Sequence, residues 1–108
     1  MPFGWQVLYN GFPAITGKLR HTADALVAKA ALDIEAQAKT RAPVDTGFLK
    51  NSIQAVKISE GHWRVAVGAE YGIYVEYGTR RSAAQPYFQP AIDAVKPGFL
   101  DAMRMIVG

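Results

Sequence analysis

Between Thr16 and Pro43 the chain places apolar residues at Leu19, Ala23, Leu26, Val27, Ala30, Ile34, Ala38 and Ala42, three or four apart. At that spacing successive side chains return to one face of an α-helix. Asp24, Lys29, Asp33, Glu35, Lys39 and Arg41 fall mostly on the other faces. Alanine at 23, 25, 28, 30, 31, 36 and 38 favours the helix intrinsically and lets a neighbour come close. Pro43 ends it, because the residue before a proline is pushed out of the helical region. A long amphipathic helix is useful only if a second layer covers its stripe, and the rest of the chain has to supply that layer.

Trp5, Val7 and Tyr9 alternate and Asn10-Gly11 supplies a turn, which reads as a short strand before the helix. After Pro43, a capped turn is followed by Ile53–Ser59, a Glu60-Gly61 turn and His62–Gly68, with Trp63, Val65 and Val67 sharing a face. This is a β-hairpin. Tyr71, Tyr74 and Tyr77 recur at spacing three, while Tyr71, Ile73, Val75 and Tyr77 alternate, so the periodicity fits a helical turn and a third strand equally. A polar loop from Arg80 to Gln85 leads to a second helix with Phe88, Ile92, Val95, Phe99, Met103 and Ile106 on one face. Pro97-Gly98 is expected to kink or interrupt it. The expected fold is α+β in two layers: a long N-terminal amphipathic helix and a C-terminal helix packed on a small antiparallel β-sheet.

With 108 residues the chain is expected to form a single domain, residues 1–108. No cysteine is present, which excludes a disulfide scaffold and thiolate metal clusters. The first basic residue is Lys18, after Pro2, Gly4, Gly11 and Pro13, so neither an export leader nor a membrane span is expected and the chain should remain in a cytoplasm. Catalytic, cofactor and metal residues are expected to be none. His21 and His62 lie far apart with no acid-plus-serine set beside them, and Gly68, Gly72 and Gly78 are too widely spaced for a phosphate loop. Glu70 and Glu76 would stand roughly 20 Å apart in a strand or on different faces of a helix. Arg80-Arg81, with Lys96 and Arg104, permit weak contact with a phosphate backbone, but neighbouring acids balance them and the net charge is only +3.

Aromatic density is the unabsorbed feature: two Trp, five Tyr and five Phe in so short a chain. Trp63, Phe88 and Phe99 read as core. Tyr71, Tyr74, Tyr77 and Tyr87 suit either the core or a half-wet subunit contact.

Three blocks occur in order: Ala42-Pro43-Val44-Asp45-Thr46-Gly47-Phe48-Leu49-Lys50-Asn51-Ser52-Ile53, then Tyr71-Gly72-Ile73-Tyr74-Val75-Glu76-Tyr77-Gly78-Thr79, then Pro86-Tyr87-Phe88-Gln89-Pro90-Ala91. Over about residues 12–107 the chain closely resembles the small head-to-tail joining proteins of long-tailed bacteriophages, the neck or tail-completion family also described as a minor tail component. The family pattern runs Ala-Pro-Val-Asp-Thr-Gly-x-Leu-x-x-Ser-Ile, Tyr-Ala-x-Tyr-Val-Glu-x-Gly-Thr and Pro-Phe-x-x-Pro-Ala. The chain departs from it twice: Gly72 stands where alanine is usual, and Tyr87 reads as an insertion into the Pro-Phe step.

The resemblance implies a non-enzymatic virion protein, made in the host cytoplasm, forming a homo-oligomeric ring of six between the head connector or stopper and the tail terminator or tail tube, with DNA passing through its lumen. A tail terminator, or a small nucleic-acid-binding module, are the alternatives. The motif residues it singles out are Pro43, Asp45, Thr46, Gly47, Leu49, Ser52, Ile53, Tyr71, Tyr74, Glu76, Gly78, Thr79, Pro86, Phe88 and Pro90, with Arg80 and Arg81 toward a DNA channel or partner. Asp45 and Thr46 are expected to cap the turn after Pro43. Glu76 is expected to bond backbone groups around Gly78-Thr79 or to pair with Arg41 or Arg81. Thr79 to Gln85 lacks apolar anchors and is expected to order on docking.

Overall fold

The computed structural model describes residues 3–8, 17–43 and 47–107. The elements are β1 (Phe3–Leu8), α1 (Gly17–Arg41), α2 (Phe48–Asn51), β2 (Ile53–Ser59), β3 (His62–Val67), α3 (Gly72–Tyr77) and α4 (Phe88–Val107). The fold is α+β, with α1 lying against all three strands and packing along α4. The expected capping by Asp45 and Thr46 lies outside the described residues.

The alanine periodicity decides how α1 sits. Ala23, Val27, Ala30, Ala31, Ile34, Ala38 and Ala42 are buried, and short side chains along that stripe let both the sheet and α4 approach the helix axis. From α4, Phe88, Ala91, Ile92 and Met103 are buried, with Val95 and Phe99 half-buried against the core. The helix runs on through Pro97 to Val107, so the expected interruption does not occur. Pro97 and Asp93, whose carbonyl the proline leaves without its helical donor, are both exposed, and water can take up that carbonyl.

The sheet order is β1-β3-β2, antiparallel throughout. The Glu60-Gly61 turn closes the β2–β3 hairpin, with Gly61 at φ 73°, a conformation that favours glycine. Ile53 pairs with Val67 and Ala55 with Val65, which stacks the fully buried Ile53, Val65 and Val67 on the face toward α1. Burying each such side chain contributes about 1.5–3 kcal/mol. Val56 and Ile58 lie on the exposed face. Trp63 is half-buried beside the core rather than within it. Strand β2 is an edge, and Glu35 of α1 accepts the Ala55 N–H at 2.5 Å, occupying one donor that an open edge leaves free.

The molecule measures 50 × 22 × 19 Å, with a radius of gyration of 15.2 Å, against about 13 Å for a compact chain of this length. The 25-residue α1 is by itself about 37 Å long.

Candidate functional site

Residues 72–77, for which the sequence allows two periods, are a helix. The Gly72 N–H donates to the Ala69 carbonyl at 3.0 Å, Val75 to Tyr71 at 3.2 Å and Gly78 to Tyr74 at 2.7 Å. Helical spacing puts Gly72 and Glu76, four apart, together on the inner face, where both are buried. The outer face carries Tyr71, Ile73, Tyr74 and Tyr77, all exposed. The polarity is thus inverted: the carboxylate lies inside and the aromatic rings outside.

Glu76 does not bond the groups around Gly78-Thr79, nor does it pair with Arg41 or Arg81. Its carboxylate accepts three backbone N–H groups where α4 begins: Tyr87 at 3.0 Å and Phe88 at 2.8 Å on Oε1, and Gln89 at 3.0 Å on Oε2. The next residue, Pro90, has no N–H. A helix leaves its first donors without intrahelical partners and carries partial positive charge there. One buried carboxylate from another helix satisfies them all, which explains why an acid can be buried here without a cation. The cap is remote because Gln85, Pro86 and Tyr87 offer no serine, threonine or aspartate to cap locally.

Tyr87 is fully buried, which removes it from the exposed aromatic set. Its hydroxyl donates to the Gly72 carbonyl at 2.9 Å, and its ring meets Phe88 edge-on with centroids 6.4 Å apart. Burial first, and then the nearby Glu76 charge, raise the pKa of this hydroxyl well above the ordinary tyrosine value. A Cβ on Gly72 would stand 2.7 Å from Val67 Cγ1 and 2.8 Å from Tyr87 Oη, so glycine leaves the space that the hydroxyl uses. Gly72 and Tyr87, fifteen residues apart in sequence, therefore touch each other. Pro86 and Pro90 stand four apart on either side of Tyr87, Phe88 and Gln89.

The first block closes on the second. Leu49 is buried and its Cδ1 lies 3.3 Å from where a Gly72 Cβ would be, while the exposed Phe48 ring stacks on Tyr71 at 6.0 Å. Gly47 precedes α2 at φ 77°. Ser52 Oγ donates to the Leu49 carbonyl at 2.7 Å, and its own carbonyl accepts from Gly68 N–H at 2.9 Å, passing the chain into Ile53 and the sheet. Pro43 is half-buried. Motifs far apart in sequence thus form one junction around α3.

The segment after α3 is exposed but anchored at both ends. Thr79 Oγ1 accepts the N–H groups of Arg81 and Ser82 at 3.2 and 3.1 Å, Thr79 N–H donates to the Ser82 carbonyl at 2.9 Å, and Gln85 N–H donates to Val75 at 2.8 Å. Gly78 has φ 80° and ψ 175°, and a Cβ there would meet the Ala84 nitrogen at 2.8 Å. Arg80 and Arg81 project from this loop, exposed and without a salt bridge among the described residues. Pro86 is exposed and Pro90 half-buried. His21 on α1 is exposed, His62 is half-buried at the start of β3, and Glu70 is exposed; among the described residues no three His, Asp or Glu side chains gather where they could hold a metal ion.

Sequence reasoning missed an open groove of about 540 Å³ between α1 and α4, lined by Leu26, Ala30 and Ala36 on one side and Ala94, Val95, Gly98, Phe99 and Ala102 on the other. Its signal was present as Ala94, Gly98 and Ala102 at spacing four, obscured by reading Pro97-Gly98 as a break.

A family model described as Bacteriophage HK97-gp10, putative tail-component, matches residues 8–78. The match takes in the first block and the second as far as Gly78. No curated protein and no solved structure matches the chain. With the matched span covering well over half of the chain, and the blocks within it forming the junction around α3, the chain belongs to the HK97-gp10-like family of bacteriophage tail components.

Proposed function

We propose that the protein is a non-enzymatic structural subunit of the phage neck that joins the head connector or stopper to the tail terminator or tail tube, assembling as a ring of six around the DNA channel. Family membership supports a structural role in the virion. The observation that carries the finer reading is the outer face of α3. A monomer that keeps Tyr71, Ile73, Tyr74 and Tyr77 in water holds side chains of the kind enriched in protein interfaces. Arg80 and Arg81, adjacent to that face, face the DNA or a neighbouring neck protein in this reading.

Electron microscopy of particles assembled without the protein tests it. Filled heads and finished tails left unjoined are expected. Overlong tails would instead identify a tail terminator. DNA affinity of the isolated protein that falls steeply with salt would point to a nucleic-acid-binding module.

A further inference from the structure

The same chain presents a ridge and a groove of matching chemistry at different places. The ridge is Phe48, Tyr71, Ile73, Tyr74 and Tyr77, exposed by 60, 43, 37, 60 and 69%. At about 200 Å² per large side chain it offers on the order of 500 Å², a large part of the roughly 800 Å² per partner in a stable interface. The groove between α1 and α4 is lined mostly by apolar residues, together with Lys29, Asp33 and Gln37. Lys29 and Asp33 are exposed and paired at 2.6 Å. Most of its lining is alanine, glycine, valine, leucine and phenylalanine, and its polar side chains all come from α1. A lining of this kind suits tyrosines, whose rings are apolar and whose hydroxyls can bond polar side chains such as Lys29, Asp33 and Gln37.

We infer that the α3 ridge of one copy docks into the α1–α4 groove of the next. This deepens the ring reading by naming its two faces. The ridge sits where α4 begins, since Glu76 holds Phe88, whereas Gly98 lies ten residues along α4, about 15 Å away. The two faces are distinct, so the contact is heterologous and closes a ring or extends a filament. An isologous ridge-to-ridge dimer would leave the groove unused.

Complementation between two variants of the full chain tests this. Tyr74→Ser with Tyr77→Ser removes the ridge and keeps the groove. Gly98→Glu blocks the groove and keeps the ridge, and because nothing lies within 4 Å of a Cβ at Gly98 the fold should tolerate it, which circular dichroism checks for both variants. In sedimentation velocity at high protein concentration the wild type is expected to self-associate and each variant alone to remain monomeric. An equimolar mixture is expected to form a heterodimer that grows no further, because it contains one intact ridge and one intact groove.

Three results would each overturn the inference: a mixture that stays monomeric, a Gly98→Glu variant that associates like the wild type, or a double tyrosine variant that does so. Failure here with unjoined heads and tails still seen in particles lacking the protein would relocate the subunit contact and leave the neck role standing. A heterodimer without the joining defect would do the reverse.

Discussion

The Tyr87 hydroxyl lies 2.9 Å from the Gly72 carbonyl, at the place where a Cβ on Gly72 would come within 2.8 Å of the same oxygen. A residue opening α4 and a residue opening α3 are therefore matched in size. Gly72→Ala should destabilise the fold by about 1–3 kcal/mol through overpacking, and Tyr87→Phe by about 1 kcal/mol through the lost hydrogen bond. The double variant, in which the new methyl group takes the space the hydroxyl vacates, should cost less than the two added together. Urea unfolding of the four proteins measures the coupling; strict additivity would show that the pair is not matched.

Glu76 and the start of α4 should behave as one unit. Glu76→Gln keeps the size but turns an amide NH₂ toward groups that can only donate, and should cost about 2–4 kcal/mol. Hydrogen exchange read by NMR should show the Tyr87, Phe88 and Gln89 amides losing protection before those of β3. Unchanged exchange at these three amides would disprove the cap.

Alkaline stability should report Tyr87. Its folded pKa is raised by burial and by Glu76, while in the unfolded chain it titrates near about pH 10. Above that pH the unfolded state releases a proton that the folded state keeps, so the contribution is fully present below pH about 10 and stability falls as pH rises beyond it. Tyr87→Phe should flatten this decline. Urea midpoints followed from neutral to strongly alkaline pH in both proteins would reveal it, and parallel curves would count against it.

Gly78 combines a positive φ with an extended ψ, a region that is essentially glycine-only. Gly78→Ala should cost about 1–3 kcal/mol, the more so because the new methyl group meets the Ala84 backbone. Loss should appear first as faster exchange of the Gln85 amide, whose partner is the Val75 carbonyl.

Exposed tyrosines predict the opposite pattern. Tyr74→Ser with Tyr77→Ser should change monomer stability by no more than about 0.5 kcal/mol per site, yet abolish joining of heads to tails in complementation of particles lacking the protein. A variant that joins them normally would remove the α3 face from the assembly.

Much of this architecture was legible in residue order because its causes are local. Apolar spacing, alanine content and Pro43 determined α1, alternation around Glu60-Gly61 determined the hairpin, and three ordered motifs pointed to the family. Tertiary structure decided the rest. Residues 71–77 satisfy two periods at once, and packing selects the helix because it places Gly72 and Glu76 on one buried face. The partners of Glu76 lie 11 to 13 residues away, beyond any local pattern, so its role depended on where α4 starts in space. Tyr87 looked like its exposed namesakes until the room left by Gly72 was known. Sequence determined which segments become helices and strands, through backbone preference and periodicity; tertiary contact determined which tyrosines are buried and which are exposed, because that depends on space shared between distant segments.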